Sequence, residues 1–511
     1  MTTRRKHKET SGSIPRMPTG IPGFDLLAMG GLSKDRMTMI EGTPGSGKAI
    51  FIAQFLAEGI LQYDQPGVFV TLEEQPGDVR GAMLSLGWDV ARWEAEGKWA
   101  FIDGTAADEE DVTVGEYDLG GLVAQINAAV GTIGAKRLAI DAVGALFTRF
   151  SDRARVRFEL FRISRMLRTM DVTSVISSER TADYGEGGYR WGEEFVVDNV
   201  VILRNVLEAE VRRRTLEILK MRGVAHRRGE FPFVITDGSG IEVMPLSAIH
   251  LEHKSSNVRA TFGNAGLDDM CDGGPFRDST TLVSGPTGAG KTLVATEFAC
   301  GAVTNGERCL FLGFEESRDQ LVRNAAGWGR DFAKMESEGL LHIVCEYPES
   351  MNLEDRLIMI KGLIGSFRPH RIVLDSLTSL GRLASEKSLR DFILGLTAYI
   401  KQLQVPALFT ATSEPIFGAT SRITETQLTT FTDSIILLRY MEYVGVMRHG
   451  VTVLKMRGSR HDTAIREFTI DSTGLHVGEQ FREPYDSTLF SSRTLAADGI
   501  GIEKSAGEHN E

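Results

Sequence analysis

The stretches Gly42-Thr-Pro-Gly-Ser-Gly-Lys-Ala49 and Gly285-Pro-Thr-Gly-Ala-Gly-Lys-Thr292 decide the fold of this 511-residue chain. Both have the GxxxxGK spacing of a phosphate-binding loop, which wraps a phosphate with backbone N–H groups while its lysine reaches the β- and γ-phosphates. We therefore expect ATP to contact every residue of both loops, namely Gly42, Thr43, Pro44, Gly45, Ser46, Gly47, Lys48, Ala49, Gly285, Pro286, Thr287, Gly288, Ala289, Gly290, Lys291 and Thr292.

The two loops differ at their last position, where the hydroxyl of a complete loop binds Mg²⁺. Thr292 supplies that hydroxyl in the second loop, whereas Ala49 stands there in the first. We expect the two copies to handle Mg²⁺ and nucleotide differently.

The loops belong to a tandem repeat, because further landmarks return in the same order at nearly the same separations. The matching pairs are Glu73-Glu74 with Glu315-Glu316, Asp141 with Asp375, Ser178-Glu179 with Ser413-Glu414, and Lys220-Met-Arg222 with Lys455-Met-Arg457. We expect a basic arm at residues 1–13, a first domain at 14–250, a second domain at 251–480 and a polar tail at 481–511.

Short β-branched runs alternate with amphipathic stretches in the first copy. Strands are predicted at Thr38–Ile40 and Gly67–Thr71, and helices at Ala49–Leu61 and Arg155–Met170. This alternation predicts an α/β fold with a mostly parallel sheet flanked by helices. Because ligands of such sheets bind at the carboxyl ends of the strands, we expect all the repeated landmarks there.

Charge and composition exclude several classes of protein. The net charge of −12 and the pI near 5.5 disfavour nucleic-acid binding, which depends on Lys and Arg. No apolar run approaches the ~18 residues of a membrane-spanning helix. The four cysteines lack CxxC spacing and are interpreted as reduced thiols of a cytoplasmic protein.

Asp141 and Asp375 each end an apolar run, as does a Walker B carboxylate that holds a metal ion directly or through water. A lone aspartate at such a position usually caps the next helix, but its repetition downstream of a phosphate loop favours the metal role. Thr292, Asp375 and Asp141 are therefore the expected Mg²⁺ ligands.

Glu73-Glu74 and Glu315-Glu316 follow the second predicted strand of each copy. A carboxylate there can accept a proton from an attacking water or hydroxyl. The alternative is a solvated pair that caps the following helix. We expect one glutamate of each pair to be catalytic, and the sequence does not rank the two.

Lys220, Arg222, Lys455 and Arg457 lie late in each copy. Late basic residues of nucleotide hydrolases commonly neutralise the γ-phosphate bound by a neighbouring subunit, which would place the sites between subunits of a ring. The alternative is a charged edge strand.

A hydroxyl-rich stretch precedes the last strands of the second copy, and the first copy has no equivalent. Its members are Thr420, Ser421, Thr424, Thr426, Thr429, Thr430, Thr432 and Ser434. The stretch is either a polar loop or a segment with a special role in the second copy.

Taken together, the duplicated loops, the glutamate pairs, Lys455-Met-Arg-Gly-Ser459 and Ala464-Ile-Arg-Glu-Phe468 resemble the KaiC family of circadian clock proteins. The resemblance covers Pro18 to Phe481 and includes Asn199-Val-Val-Ile-Leu-Arg-Asn-Val206 and Tyr347-Pro-Glu-Ser350. It implies two tandem RecA-like P-loop NTPase domains, assembled into a double-ring homohexamer with ATP at the subunit interfaces.

The resemblance also implies a slow ATPase in the first ring and an autokinase and autophosphatase in the second. Thr429 and Thr430 match the family's acceptor pair, and Thr424 matches an auxiliary hydroxyl. Glu315 and Glu316 would activate the acceptor of the adjacent subunit, and Arg382 matches an arginine near the acceptors.

This sequence departs from the family at three places. Ala49 replaces a hydroxyl residue, Thr429 replaces the usual serine, and the tail after Phe481 diverges from the segment that the activator KaiA grips, which disfavours KaiA as a partner. The segment Thr113–Leu119 resembles the region that meets KaiB, so a KaiB-type partner is expected.

The sequence therefore predicts a cytoplasmic, ATP-hydrolysing serine/threonine autokinase that uses ATP and Mg²⁺. Two alternatives stay open: a nucleotide-gated scaffold that reports bound ATP without phosphoryl transfer, and a RecA-like ATPase that acts on DNA.

Overall fold

The computed structural model describes residues 14–104, 120–144, 153–184, 196–208, 211–244, 255–382, 384–413, 430–443 and 446–481. Expected features at the basic arm, Thr113–Leu119, Thr424, Thr429 and the tail beyond Phe481 lie outside these residues. The chain divides into two compact units, Met1–Leu251 with Met351–Ile358 and Glu252–Ser350 with Met359–Glu511.

The first unit contains a small two-stranded sheet and a nine-stranded sheet in the order β11-β10-β9-β8-β3-β7-β6-β4-β5. The strands from β8 to β5 in this order are parallel to one another. Strands β9, β10 and β11 extend the sheet beyond β8, and each of them pairs antiparallel with its neighbours. The strands are β1 (Arg16–Met17), β2 (Leu32–Ser33), β3 (Met37–Gly42), β4 (Gly67–Thr71), β5 (Trp99–Asp103), β6 (Arg137–Asp141), β7 (Thr173–Glu179), β8 (Asn199–Glu208), β9 (Val211–Met221), β10 (Glu230–Thr236) and β11 (Gly240–Val243).

The described helices of the first unit lie between successive strands. They are α1 (Phe24–Leu27), α2 (Lys48–Tyr63), α3 (Pro76–Ser85), α4 (Val90–Ala95), α5 (Gly120–Ile133) and α6 (Arg153–Thr169). The predicted helices at Ala49–Leu61 and Arg155–Met170 are confirmed as α2 and α6, with ends one or two residues away.

The second half of the chain repeats this topology, with a nine-stranded sheet in the order β20-β19-β18-β17-β12-β16-β15-β13-β14. Its strands are β12 (Thr280–Gly285), β13 (Cys309–Gly313), β14 (Leu341–Cys345), β15 (Arg371–Asp375), β16 (Ala407–Thr412), β17 (Ser434–Tyr443), β18 (Val446–Met456), β19 (Arg466–Asp471) and β20 (Gly474–Gln480). Its helices are α7 (Ala265–Met270), α8 (Lys291–Thr304), α9 (Arg318–Gly327), α10 (Phe332–Ser337), α11 (Leu353–Phe367), α12 (Leu377–Gly381) and α13 (Glu386–Gln402), with a short 3₁₀ turn at Pro348–Ser350.

Hydrophobic cores on both faces explain the continuous apolar strands. In β4, Phe69 packs into the core on one face, whereas Val68 and Val70 belong to the core on the other. A parallel sheet covered by helices on both sides buries every residue of its central strands, so these strands do not alternate with polar residues. The α/β fold class is confirmed, with two repeats of one mostly parallel sheet.

Strand register brings most landmarks to one edge of each sheet. Thr71, which precedes the first glutamate pair by two residues, is opposite Asp141, and Gly313 is opposite Asp375. The proposed match of Ser178-Glu179 with Ser413-Glu414 is wrong by two residues, because Glu179 is opposite Gly42 whereas Thr412 is opposite Gly285. Glu179 therefore has a threonine, Thr412, as its structural counterpart.

The late basic residues are the exception to the expectation that all landmarks share the carboxyl edge. Lys220 pairs with Val200 near the start of β8, and Lys455 pairs with Ile435 near the start of β17. Because β9 and β18 run antiparallel to the other strands, their carboxyl ends reach the amino edge of the parallel strands. These basic residues therefore lie at the edge opposite to the phosphate loop of their own unit.

No helix among the described residues is long and apolar enough to cross a membrane. The four cysteines, all within the described ranges, are free thiols, and three of them are buried.

Candidate functional site

Each phosphate loop joins a buried central strand to the helix that follows it. Gly47 and Gly290, the last residues before α2 and α8, have φ angles of 96° and 94°, a left-handed conformation that strains any residue with a side chain. A Cβ atom on Gly42 would lie 2.3 Å from Ser46 Oγ. The motif glycines are therefore required by the shape of the loop.

The loop lysines fold back onto their own loops. Lys48 Nζ donates to the carbonyl oxygen atoms of Gly42 (3.0 Å) and Thr43 (3.2 Å), and Lys291 Nζ donates to those of Gly285 (2.9 Å) and Pro286 (3.0 Å). Burial lowers the pKa of both lysines, and nearby carboxylates oppose the shift. A phosphate is a stronger acceptor for an ammonium than a neutral carbonyl, so both lysines are placed to exchange these carbonyls for nucleotide.

The second site brings the expected metal ligands together. Thr292 Oγ1 donates to Asp375 Oδ2 at 2.8 Å, and Thr410 Oγ1 donates to Asp375 Oδ1. Burial raises the pKa of Asp375, and the two hydroxyl donors oppose that shift. A threonine hydroxyl beside a carboxylate is a set of hard oxygen donors that suits Mg²⁺, with phosphate oxygens and water as the remaining ligands.

The first site has the carboxylate without the loop hydroxyl. Ser177 Oγ donates to Asp141 Oδ1 at 2.5 Å, in the position that Thr410 has in the second site. Burial raises the pKa of Asp141, and the hydrogen bond from Ser177 opposes this. Because Ala49 has no hydroxyl, the first loop supplies no side-chain oxygen at the position where Thr292 lies in the second.

The first glutamates of the two pairs have opposite electrostatic environments. Burial raises the pKa of Glu73, and the carboxylates of Glu179 and Asp141 raise it further. Burial also acts to raise the pKa of Glu315, but Ser376 and Ser379, whose hydroxyls donate to Glu315 Oε1 at 2.6 and 2.5 Å, reverse the shift and lower it.

The second glutamates lie beside the first. Glu316 Oε2 accepts a hydrogen bond from Asn324 Nδ2 at 3.0 Å, which ties Glu316 to α9. Ser317 caps that helix and forms a capping box with Gln320. Because Ser317 provides the cap, the interpretation of Glu315-Glu316 as helix-capping residues is wrong for the second unit.

The late basic residues contact their own chain at the amino edge of the sheet. Lys220 Nζ donates to the carbonyl oxygen of Val197 at 2.9 Å, and Lys455 Nζ donates to that of Thr432 at 2.7 Å. Arg222 and Arg457 follow β9 and β18 in the next turn. The alternative of a charged edge strand is wrong, because β9 and β18 each lie between two other strands.

Of the three expected acceptors, the described residues include Thr430. It is exposed and lies four residues before β17. Asp433 Oδ2 accepts from Thr280 N at 2.9 Å at the start of β12, so Thr430 lies near the amino edge. Arg382 lies at the carboxyl edge instead, where its charge acts on Glu315. The structure thus separates Arg382 from Thr430 of its own unit.

Sequence reasoning missed several residues that shape the sites. Ser376 and Ser379 lie within the Asp375-Ser-Leu-Thr-Ser run, so their spacing after the aspartate was a usable signal. Glu179 ends β7 beside the first phosphate loop, but its misassigned match to Glu414 hid that it has no acidic counterpart. Asp183 was also missed: its Oδ1 accepts from Thr43 Oγ1 at 2.8 Å.

Known proteins resemble this chain over nearly its whole length. A family model described as "ATPase: KaiC" matches the chain twice, at residues 17–248 and 261–482. Circadian clock protein KaiC3 of Synechocystis sp. is 54% identical over 476 residues, covering 93% of this chain and 94% of that protein. Circadian clock oscillator protein KaiC of Synechococcus elongatus is 48% identical over 94% of this chain and 92% of that protein. The corresponding protein of Prochlorococcus marinus is 46% identical over 92% and 93%.

These matches cover both nine-stranded units and both phosphate loops. They show a family of ATPases, which implies that this chain binds ATP. The chain is a member of the KaiC family of ATPases, with two tandem RecA-like P-loop domains.

Proposed function

We propose that this chain is an ATP-dependent serine/threonine autokinase of the KaiC type, with a clock or clock-like timing role. Its first domain, residues 14–250, binds and slowly hydrolyses ATP. Its second domain, residues 251–480, transfers the γ-phosphoryl group of ATP to Thr430 or Thr429 of an adjacent subunit in a homohexamer, and removes it again as an autophosphatase.

The separation of the acceptor from its own ATP site carries this proposal. Thr430 lies at the amino edge of the second sheet, whereas Lys291, Glu315 and Asp375 lie at the carboxyl edge. The six residues of β12 span about 16 Å between these edges at 3.3 Å per residue. In-line transfer needs the reacting atoms ~3–3.5 Å apart. A neighbouring subunit that stacks its carboxyl edge against this amino edge removes that gap.

The second site is the better equipped of the two for transfer to a hydroxyl. The hydrogen bonds from Ser376 and Ser379 keep Glu315 ionised, so it can accept the proton of the attacking hydroxyl. Thr292 and Asp375 fit Mg²⁺, which supplies charge neutralisation on the transferred group when it is bound. Arg382, beside Glu315, adds positive charge where the acceptor of the neighbour would enter.

The late basic residues complete each site in trans. Lys455 and Arg457 lie at the same amino edge as Thr430, and Lys220 and Arg222 at the corresponding edge of the first unit. They are too far along the sheet to serve their own loops, so we assign them to the γ-phosphate held by the neighbour. A KaiB-type partner on the first domain and a cytoplasmic location, consistent with the free thiols, belong to the same proposal.

Mass spectrometry after incubation with Mg²⁺-ATP tests the kinase. We expect phosphate on Thr430 or Thr429, and we expect Glu315→Gln with Glu316→Gln to abolish it while ATP still binds. Glu73→Gln with Glu74→Gln is the matched control and should leave phosphorylation intact. ATP-dependent assembly without any phosphate between Thr424 and Ser434 would contradict the kinase and favour a nucleotide-gated scaffold.

A further inference from the structure

Lys455 and Arg457 hold the end of the acceptor segment in their own chain. Lys455 Nζ donates to the carbonyl oxygen of Thr432 at 2.7 Å, and Arg457 Nη2 donates to that of Thr430 at 3.3 Å. The backbone N–H of Arg457 also donates to the carbonyl oxygen of Asp433 at 2.9 Å. Carbonyls of three of the four residues between Thr430 and Asp433 thus accept hydrogen bonds from one short stretch of chain.

A β-bulge sets the direction of the Lys455 side chain. In β18, Lys455 pairs with Ile435 and Val453 pairs with Ile436, so Leu454 is the extra residue. Leu454 is 53% exposed although it is a large apolar residue. A bulge re-aims the side chain next to it. Here it directs Lys455 toward the chain that enters β17.

The first unit has a corresponding bulge and corresponding hydrogen bonds from Lys220 and Arg222, but it has no acceptor threonine. The register of β9 shifts around Leu219 in the same way, and Lys220 Nζ donates to the carbonyl oxygen of Val197. The N–H of Arg222 donates to the carbonyl oxygen of Asp198, as that of Arg457 does to Asp433. The repetition makes the anchor a property of the fold and provides a matched control.

Positively charged side chains cluster at the anchored corner. Asp433 accepts from Lys401 at 2.8 Å and lies 3.6 Å from Arg457. Three cations, Lys401, Lys455 and Arg457, therefore surround one carboxylate. An anion that approaches this corner meets these charged donors, and an ionised acceptor binds such groups more strongly than a neutral carbonyl does.

We infer that Lys455 and Arg457 are positioning residues for the acceptor segment: they anchor Thr430 and Thr432 when the neighbouring site lacks nucleotide and release them when they engage its triphosphate. The release step rests on the proposed trans role of these residues; the anchor does not. Nucleotide occupancy of one site would then control how freely the acceptor of the adjoining subunit can move toward it.

Amide hydrogen exchange on the full-length, nucleotide-free protein tests the anchor. Loss of a hydrogen bond from a charged donor should speed exchange across residues 430–434 by about tenfold in Lys455→Met and in Arg457→Met. Exchange in the core of β17 should not change. Lys220→Met should act on residues 196–199 and leave residues 430–434 at the wild-type rate. Wild-type exchange across 430–434 in both acceptor-side variants would overturn the anchor.

Two further measurements test the anchor and the release step separately. Lys455→Arg retains a charged donor and should keep exchange slow, so it reports on the anchor if Lys455→Met does not fold. In the wild type, a non-hydrolysable ATP analogue with Mg²⁺ should speed exchange across residues 430–434 in the assembled protein. Slower exchange there would overturn the release step. Failure to assemble would contradict the proposed trans site. The exchange measurements on the nucleotide-free variants would still test the anchor.

Discussion

Ser376 and Ser379 are predicted to set the pH range in which the second site works. Both hydroxyls donate to Glu315 Oε1 and lower its pKa, whereas Glu73, its counterpart in the first unit, has a raised pKa. Ala142 occupies the position of Ser376 in the first unit, so no hydroxyl is available there. Replacing both serines by alanine should give Glu315 the character of Glu73.

The size of the shift follows from the two hydrogen bonds. A typical net contribution is about 0.5–1.5 kcal/mol each. Because Glu315 is partly accessible to solvent, we take a value near the lower end, about 0.7 kcal/mol per bond. The pair is then worth about 1.4 kcal/mol in favour of the ionised carboxylate, so its removal raises the pKa of Glu315.

The sign of the effect on rate is fixed by the role of Glu315 as a base. A base works while it is ionised, so activity is lost as the pH falls through its pKa, and a higher pKa moves that loss to higher pH. We expect the acid limb of the kcat/KM profile for ATP turnover to move to higher pH in Ser376→Ala with Ser379→Ala. The assay uses a Lys48→Ala background to silence the first site. An acid limb at its original pH would refute this role of the two serines.

Three further predictions concern the first site, the metal ligands and stability. Ala49→Thr in a Lys291→Ala background should raise Mg²⁺-dependent ATP hydrolysis, and an unchanged rate would contradict the missing-ligand argument. Thr410→Val removes one of the two hydroxyl donors to Asp375, so the pKa of that carboxyl should rise further and the Mg²⁺ concentration for half-maximal activity should increase severalfold; an unchanged Mg²⁺ titration would count against it. Glu41→Gln breaks the buried ion pair with Arg180 (2.8 Å) and should destabilise the first unit by about 3 kcal/mol in denaturant unfolding, whereas a loss below about 1 kcal/mol would show that the pair is not needed.

Much of the fold was predictable because it depends on local sequence patterns. The phosphate-loop spacing fixes a strand before Gly42 and a helix from Lys48, and the structure has both. The alternation of apolar runs and amphipathic helices predicted the parallel sheet. The complete second loop and its aspartate correctly predicted that Thr292 and Asp375 lie together.

Other features depend on register and chain direction, which local patterns do not contain. Lys455 lies at the amino edge because β18 runs antiparallel to β17. The direction of its side chain follows from the bulge at Leu454. The match of Glu179 required a strand alignment that differs by two residues from the apparent sequence match. The opposite pKa shifts of Glu73 and Glu315 depend on the hydroxyls of Ser376 and Ser379, one and four residues after Asp375, which only tertiary packing brings to the Glu315 carboxylate.

Phosphoryl transfer between subunits is the central claim, and a mixed-subunit experiment tests it most directly. A tagged chain with Glu315→Gln and Glu316→Gln keeps its acceptors but lacks the base, and an untagged chain with Thr429→Ala and Thr430→Ala keeps the base but lacks the acceptors. Neither chain alone should be phosphorylated by Mg²⁺-ATP. After co-assembly, mass spectrometry should find phosphate on Thr430 or Thr429 of the tagged chain. A tagged chain that stays unmodified in verified mixed assemblies would contradict transfer from a neighbouring site.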